Sequence, residues 1–319
     1  MKKEILLFLC LVILVSCQEA KKKETKNPNI VVKTDHGIQL GSGNIHRIDS
    51  FPSKNIVPRT VDVWLPDGYS NDIKYAVLYM HDGQMLFDSL TTWNKQEWKV
   101  DEFSGLLQKE RKTKDFIVVA VHNISKIRWN DYFPEKAFDY VSKTDQDSLR
   151  LMAKKNSFNM DMNADAYLKF LTKELKPYID NNYSVLTDVK NTVISGSSMG
   201  GLISMYAMCE YPEIYGAAAC ISTHWPGATV FKGNPLPEAF FSYMKEKLPS
   251  SENHKFYFDF GTKTLDQFYP QYEEKVNQIF KEKGYNQTNF INRKFEGADH
   301  SESSWNQRLD IPFTFILKK

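Results

Sequence analysis

The residues best suited to chemistry surround one serine. A GxSxG motif occupies residues 196–200 and has Ser198 at its centre. A short apolar run (192–195) precedes the motif, and a helix-like segment (202–209) follows it. Strand, sharp turn and helix in this order form a nucleophile elbow, in which small neighbours let the serine take a strained conformation that exposes its hydroxyl. We therefore predict Ser198 as a nucleophile; Ser197, which lacks the glycine spacing, and a turn that serves only packing are the alternatives.

A base must activate this hydroxyl, because a serine is a poor nucleophile at neutral pH. With an elbow of this kind, the acid and then the base follow the serine along the chain. Three histidines come after Ser198. His224 directly follows the strand after the elbow helix, and His254 precedes a strand. His300 instead lies in a loop after the last strand-like segment (290–295), where the base belongs, so it is the predicted base.

The acidic partner is expected in the loop after the preceding strand-like run (256–260). That loop contains Asp266, whose carboxylate would hold the imidazole tautomer and stabilise the imidazolium. Asp259 and Asp299 are competing carboxylates. Asp259 falls inside the strand, and Asp299 adjoins the predicted base, where it is better suited to shaping the turn. Asp266 is therefore the predicted acid.

Two backbone N–H groups are needed to hold the oxyanion of a tetrahedral intermediate. Met199, the residue after the nucleophile, supplies one of them. The second is expected from the loop that begins at His81, where Gly83 permits a tight turn that directs the Gln84 amide inwards. We interpret His81 and Asp82 as a polar turn whose hydrogen bonds are satisfied locally.

The elements that must position these groups alternate along the chain. Short, nearly continuous apolar runs are typical of strands that are buried on both faces of a parallel sheet. They occupy residues 76–80, 116–121, 192–195, 217–221 and 256–260. Amphipathic helical patterns lie between them, as in 167–179 and 272–283. The alternation predicts an α/β fold with a mostly parallel central sheet, flanked by helices on both faces, and active residues at the carboxyl ends of the strands.

The segment from about residue 123 to residue 163 interrupts this alternation. It is long, irregular and rich in aromatic and charged residues, and an excursion of that length in a compact domain is usually functional. We interpret it as an insertion that borders the site within a single domain (30–319). We predict three substrate contacts. One is Arg128 in this segment, and the others are His224 and Trp225, which lie just after the end of a strand. The alternatives are a solvated side chain for Arg128 and a packed aromatic corner for the other two.

The first residues predict export and lipidation. Two lysines precede an apolar run (5–15) that suits a signal peptide and is short for a membrane span. The letters LVSC that end this region resemble the lipobox of bacterial lipoproteins, so we predict a lipoprotein signal peptide (1–17) with lipidation at Cys17. A plain signal peptide is the alternative. A polar tether (18–29) would then hold the exported protein at the cell envelope, on the outer membrane or cell surface.

The composition argues against several classes of partner and cofactor. Lys and Arg number 41 against 39 Asp and Glu, and the formal net charge of +2 builds no strong field for nucleic acid. The sequence has neither a Cys/His spacing typical of a metal site nor an HExxH motif. Cys209 and Cys220 stand in apolar surroundings that favour buried free thiols over a disulfide. We expect neither a metal nor an organic cofactor.

Several segments together resemble one esterase family of α/β-hydrolases. This family includes enterochelin esterases, S-formylglutathione hydrolases, feruloyl and acetylxylan esterases, and mycolyltransferases. The matching segments, in the family's order, are VDVWLPDGY, VLYMHDGQMLFD, GSSMGGLISMYAMCEYPEIYG, YFDFGTKTLD and GADHSESSW. The resemblance implies an α/β-hydrolase fold and does not select a substrate. It assigns the family's triad to Ser198, Asp266 and His300, and its oxyanion amides to Gln84 and Met199.

These residues predict a serine carboxylic-ester hydrolase that works through an acyl-enzyme. The substrate is expected to be a small-molecule or oligosaccharide ester at the envelope, such as an acylated saccharide or a siderophore-like ester. An acyltransferase that uses the same triad to acylate a sugar or lipid alcohol is one alternative. A catalytically silent ligand-binding member of the fold is the other.

Overall fold

The computed structural model describes residues 30–319 of the chain. The predicted signal peptide, the predicted lipidation site Cys17 and the predicted tether (18–29) lie outside the described residues. Within residues 30–319, no helix combines the length and the apolar character needed to cross a bilayer. In the same range, no three or more His, Cys, Asp or Glu side chains are grouped so that they could hold a metal ion.

One sheet of eight strands forms the centre of the described chain. The strands are β1 (Asn44–Phe51), β2 (Arg59–Leu65), β3 (Ala76–His81), β4 (Phe116–Val121), β5 (Thr192–Ser197), β6 (Ala217–Ile221), β7 (Lys255–Phe260) and β8 (Phe290–Lys294). Their spatial order is β1-β2-β4-β3-β5-β6-β7-β8. The pairs β1–β2 and β2–β4 are antiparallel, and all other neighbours are parallel.

The parallel strands in the middle of the sheet are buried along almost their whole length and mostly apolar, because both of their faces are covered. Every residue of β3, β4, β5 and β6 is buried, and so is every residue of β7 except Lys255. Strands of this kind show continuous apolar runs instead of alternation. The predicted α/β fold with a mostly parallel sheet is therefore confirmed.

Helices pack on both faces of this sheet. They are α1 (Val100–Lys109), α2 (Arg128–Tyr132), α3 (Lys143–Lys155), α4 (Ala164–Phe170), α5 (Lys176–Asn182), α6 (Met199–Glu210), α7 (Leu236–Lys247), α8 (Glu273–Glu282), α9 (Glu302–Asn306) and α10 (Asp310–Ile316). Leu168 of α4, Ile203 of α6 and Phe280 of α8 belong to one apolar core. Leu107 of α1 and Phe313 of α10 belong to a second core on the other face. This two-sided packing is the arrangement that the alternation predicts.

The segment 123–163 is more regular than its sequence suggests. It contains α2, α3 and two short 3₁₀ helices (Ser125–Ile127 and Glu135–Tyr140). Helix α2 is brief because Pro134 favours an extended conformation at Phe133, which ends the helix, and the Ser142 side chain caps the start of the 13-residue helix α3. Phe133 also packs on Phe240 of α7, with ring centroids 5.4 Å apart. The segment is thus part of the main core.

Candidate active site

The elbow at Ser198 joins the end of β5 to the start of α6. Ser198 has φ 59° and ψ −121°, a conformation that a non-glycine residue adopts only under strain. The glycines around it are required because a side chain at these positions would clash with neighbouring atoms. A Cβ on Gly196 would lie 2.9 Å from the Gly200 carbonyl, and one on Gly201 would lie 2.8 Å from Thr223 Oγ1. The GxSxG spacing therefore produces the strained, partly exposed serine that the sequence predicts.

Asp266 and His300, which lie in different loops, meet through their side chains. His300 Nδ1 is 2.5 Å from Asp266 Oδ1, and the Asp266 side chain is fully buried in the short 3₁₀ helix Thr264–Phe268. The backbone N–H of His300 also donates to Thr264 Oγ1 at 2.9 Å. Because a carboxylate only accepts hydrogen bonds, Nδ1 must carry the proton. Nε2 is then left as the basic nitrogen.

Two further donors hold the Asp266 carboxylate. The Gly261 N–H and the Ser222 hydroxyl both donate to Asp266 Oδ2 at 2.6 Å. Gly261 can approach so closely because it has no side chain, since a Cβ there would lie 2.2 Å from the Ala298 carbonyl oxygen. Ser222 is not among the site residues that the sequence predicts. Its position directly after a buried strand, at the edge where active residues gather, is the only signal for it in the sequence.

The three predicted catalytic residues lie at the same edge of the sheet. Ser198 follows β5, Asp266 follows β7 and His300 follows β8, and these strands are parallel, so their carboxyl ends coincide. Two hydrogen bonds and one ring contact also link the loops that carry Ser198 and His300. The Ser198 carbonyl accepts from the His224 N–H at 3.2 Å, and His224 Nδ1 is 2.7 Å from Tyr269 Oη. The Tyr269 ring lies 6.0 Å from the ring of His300.

His224 and Trp225 form the packed corner, which was the alternative to substrate contact. His224 Nε2 bonds to the Ala228 carbonyl oxygen at 2.8 Å, so both ring nitrogens are engaged. Burial lowers the pKa of His224 to about 4, so the ring is neutral at physiological pH. Trp225 is only 5% exposed and stacks on Phe258. The structure thus places both side chains in the packed corner, and substrate contact by either of them stays a prediction.

The loop after β3 has the shape that an oxyanion site requires. Asp82 is left-handed, with φ 59° and ψ 41°, and a Cβ on Gly83 would lie 2.8 Å from the Ala120 carbonyl. These two residues turn the chain sharply before Gln84. Within residues 30–319, neither the Gln84 N–H nor the Met199 N–H donates to another protein group. Both amides are therefore free to donate to an oxyanion, and that role stays a prediction.

Arg128 is engaged with the protein itself. Its Nε and Nη2 donate to the two oxygens of Asp82 at 2.8 and 2.7 Å, and Asn123 Nδ2 donates to the same carboxylate at 2.7 Å. Burial would lower the pKa of Arg128, but the Asp82 carboxylate outweighs that effect and raises it. Arg128 thus ties the segment 123–163 to the loop after β3, and because its side chain stays 27% exposed, its contact with substrate remains a prediction.

The two polar residues at the end of β3 are not satisfied locally, which corrects the interpretation of a self-contained polar turn. Asp82 is held by Asn123 and Arg128, which are more than 40 residues away along the chain. His81 Nδ1 bonds to Tyr167 Oη of α4 at 2.8 Å, and burial lowers the pKa of His81 to about 3. A neutral, buried His81 has a structural role, as the sequence interpretation favoured.

Comparison with known proteins places this geometry in a family. The family described as "Putative esterase" matches residues 57–314, which is most of the chain. The chain belongs to this esterase family. This membership supports a carboxylic ester hydrolase. The resemblance seen in the sequence segments is thereby confirmed.

One curated relative of the esterase is an endo-1,4-beta-xylanase/feruloyl esterase from Xylanibacter ruminicola. It is 24% identical over 282 residues, which is 85% of this chain. The same match covers only 31% of the relative, so the chain spans about a third of that protein's length. The relative's complete set of activities therefore does not transfer to this chain.

Solved structures share the fold of the esterase at low sequence identity. A ferulic acid esterase from the anaerobic fungus Anaeromyces mucronatus has a TM-score of 0.59 and 21% identity, and the match covers 91% of this chain and 95% of that one. The enterobactin esterase from Shigella flexneri, solved with 2,3-dihydroxy-N-benzoyl-glycine, has a TM-score of 0.60 and 15% identity. That match covers 88% of this chain and 60% of the Shigella protein. At these identities the likeness concerns the fold alone.

Proposed function

We propose that the esterase cleaves its substrate through a covalent acyl-enzyme, with Ser198 as nucleophile, His300 as base and Asp266 as acid. The observation that carries the proposal is the His300–Asp266 hydrogen bond of 2.5 Å at the sheet edge that also bears the strained serine. A histidine held in this way keeps its Nε2 free to accept a proton. The arrangement is the one that activates a serine hydroxyl.

In the proposed first half-reaction, His300 Nε2 takes the proton of the Ser198 hydroxyl while the oxygen attacks the ester carbonyl carbon. The backbone amides of Gln84 and Met199 donate to the resulting oxyanion, where donors fixed in advance stabilise charge most effectively. The intermediate then collapses and the bond to the alcohol oxygen breaks. His300 returns its proton to that oxygen, and the alcohol leaves a Ser198 ester behind.

In the second half-reaction, water replaces the alcohol. His300 accepts one proton of the water while its oxygen attacks the acyl carbon, and the same amides hold the new oxyanion. Collapse breaks the bond to the Ser198 oxygen, which regains a proton from His300. The products are a carboxylic acid and free enzyme, and the cycle uses no metal, cofactor or oxidant.

The proposed substrate is an acylated saccharide or a siderophore-like ester. Support comes from the related proteins: the Xylanibacter relative is named a feruloyl esterase, and the Anaeromyces esterase has been solved in complex with ferulic acid. The Shigella protein is an enterobactin esterase. We further propose that the protein is exported and anchored at the envelope through Cys17, where such esters arrive from outside; the apolar run 5–15 and the LVSC letters support this.

A panel of short-chain acyl, feruloyl and siderophore esters, given to the wild type and to Ser198→Ala, tests the mechanism. The wild type should turn over at least one of these esters. Ser198→Ala should retain about a thousandth of the rate or less, because loss of a triad member leaves only the oxyanion amides and binding. Equal rates in the two proteins would rule out the acyl-enzyme. Adding an acceptor alcohol and analysing the products separates hydrolysis from acyl transfer.

A further inference from the structure

A buried polar cluster lies directly behind Asp266. It consists of Ser222, Asp259, Trp305 and Arg308, which we call the support cluster, and each of these residues is at most 5% exposed. Ser222 follows β6, Asp259 lies in β7, and the other two belong to the C-terminal helical segment. The proposed mechanism uses none of these side chains directly. The cluster nevertheless reaches Asp266 through a single hydroxyl.

The direction of the Ser222 hydroxyl proton is determined by its neighbours. Trp305 Nε1 lies 2.9 Å and Arg308 Nη2 lies 3.2 Å from Ser222 Oγ. Both groups can only donate, so they occupy the two acceptor positions of the hydroxyl oxygen. The single hydroxyl proton is left for Asp266 Oδ2, at 2.6 Å. The support cluster thus converts a rotatable hydroxyl into a donor with one fixed direction.

The backbone of Ser222 is also held in place. Its N–H donates to Asp259 Oδ1 at 3.0 Å. Asp259 in turn pairs with Arg308, through Nε at 3.1 Å and Nη2 at 3.2 Å, and accepts from the Tyr257 hydroxyl at 3.0 Å. A buried ion pair with these additional hydrogen bonds leaves few alternative arrangements. The position of the Ser222 hydroxyl therefore follows from a rigid framework.

The conformation of Ser222 indicates that its side chain has a purpose beyond folding. Its φ is 41°, in the left-handed region where glycine is less strained than any residue with a Cβ. A fold that needed only this turn would be served better by glycine. The strain is offset here by the hydrogen bonds that the hydroxyl makes, and the one acceptor among its partners is the predicted acid.

We infer that Ser222 is a positioning residue for the triad: its hydroxyl, aimed by Trp305 and Arg308, fixes Asp266 so that His300 is oriented towards Ser198. The inference rests on the proposed function, because Ser222 acts through the acid. With the Ser222 donor present, Oδ2 is occupied and Oδ1 is presented to His300. Without that donor, Asp266 loses one of its three protein hydrogen bonds and can rotate away from its present position.

Ser222→Ala and Ser222→Gly, assayed with p-nitrophenyl acetate, test this role. Both remove the hydroxyl, but glycine also relieves the positive φ, so a hydroxyl effect must appear in both. We expect kcat to fall about tenfold to a hundredfold, which is the size of effect seen when a charged group loses a hydrogen bond or a ligand loses the residue that orients it. The value of KM should change less than about twofold. Ser195→Ala is the matched control. Its buried hydroxyl in β5 makes no hydrogen bond within residues 30–319, and its rate should equal that of the wild type.

Stability and spectroscopy separate positioning from general support. Ser222→Ala leaves the Trp305 N–H buried without an acceptor, so its melting temperature should fall. The double variant with Trp305→Phe removes that orphaned donor but also indole atoms that pack on Trp98 and His300, so only part of the lost stability should return, and kcat should stay low. The proton between His300 Nδ1 and Asp266 should give a far-downfield NMR resonance in the wild type. That resonance should shift or broaden in both Ser222 variants and stay unchanged in Ser195→Ala.

The outcomes distinguish this inference from the proposed function. Wild-type kcat and an unchanged downfield resonance in both Ser222 variants would overturn the positioning role, while Ser198→Ala would still be inactive. A kcat that returns with stability in the Ser222/Trp305 double variant would also overturn it, because the effect would then be structural. If instead Ser198→Ala retained full activity, the proposed mechanism itself would fail.

Discussion

The site is held together by the ability of the Asp266 side chain to accept several hydrogen bonds. Three donors converge on its carboxylate: the His300 ring nitrogen, the Gly261 N–H and the Ser222 hydroxyl. Each oxygen of a carboxylate can accept from any direction near its lone pairs, but an amide nitrogen can only donate. The site therefore requires a carboxylate at this position, and an isosteric amide would be opposed by at least one of the three donors.

We predict that Asp266→Asn lowers kcat by about 10³- to 10⁴-fold with little change in fold, because the amide favours the wrong imidazole tautomer. Steady-state assays with p-nitrophenyl acetate measure the effect, and circular dichroism checks the fold. Asp299→Asn is the control, since Asp299 is the neighbouring carboxylate and accepts from the Ser301 hydroxyl. If Asp299→Asn lost the activity and Asp266→Asn kept it, the acid would have been assigned to the wrong loop.

At the scale of elements, the loop after β3 depends on the segment 123–163 for its position. Asp82 stands in a left-handed conformation directly before Gly83 and Gln84, and its carboxylate is clamped by Arg128 and Asn123. Arg128 Nη2 also approaches the Ser197 carbonyl oxygen at 3.4 Å. One guanidinium thus touches both the loop that carries the Gln84 amide and the strand that ends at the nucleophile.

Arg128→Lys tests this tie, because lysine keeps the charge but loses the planar, bidentate geometry. We expect kcat to fall about tenfold to a hundredfold, since a small displacement of an oxyanion donor weakens stabilisation of the transition state. The free energy of unfolding should also decrease. Lys126→Ala, an exposed position on the preceding 3₁₀ helix, is the control and should leave both quantities unchanged. An Arg128→Lys enzyme with wild-type kcat would show that the Gln84 amide is positioned without this clamp.

At the scale of the whole molecule, two buried histidines couple folding to pH. Burial lowers the pKa of His224 to about 4 and that of His81 to about 3, whereas the ordinary value is 6.5. Between pH 6.5 and about 4, these two histidines are therefore protonated in the unfolded chain but neutral in the folded chain. Stability rises with pH wherever the unfolded state binds more protons. The contribution of these two neutral residues to the free energy of unfolding is thus complete above pH 6.5 and is lost as the pH falls towards 4.

We predict that the free energy of unfolding decreases between about pH 7.5 and about pH 5, with roughly 2 kcal/mol of the decrease coming from each histidine. His224→Gln should make this decrease smaller by that amount. Urea unfolding at both pH values measures it. Tyr269, His300, Arg128 and Asp266 lie around His224 and are common to both proteins, so the difference isolates one ring. A pH dependence that is unchanged in His224→Gln would contradict the assignment.

The molecule as a whole brings its active residues together through the order of its strands. Strands β5, β6, β7 and β8 are parallel neighbours, so the residues that follow them meet at one edge although more than 100 residues separate the first from the last. The connections supply the proposed nucleophile, the Ser222 hydroxyl, the proposed acid and the proposed base in turn. This is the reason that parallel sheets place their sites at the carboxyl ends of strands.

The sequence by itself determined the features that depend on neighbouring residues. The GxSxG spacing identified the elbow, the apolar runs identified the buried strands, and the order of residues along the chain selected Asp266 and His300. These inferences hold because turn geometry and burial on both faces leave local signatures. The residue after the nucleophile and the glycine turn after β3 indicated the oxyanion amides, the family's segments pointed to the same two residues, and the N-terminal letters added the lipidation prediction.

Only the tertiary structure decided which side chains face one another. Arg128 and Trp225 have the composition of substrate contacts, but strand order and core packing direct one onto Asp82 and the other onto Phe258. Ser222 is an ordinary serine in sequence and acquires its partners from β7 and from the C-terminal helices. Such contacts join residues that are tens of positions apart, and local periodicity carries no information about them. They exist because the closed hydrophobic core holds distant loops at fixed separations.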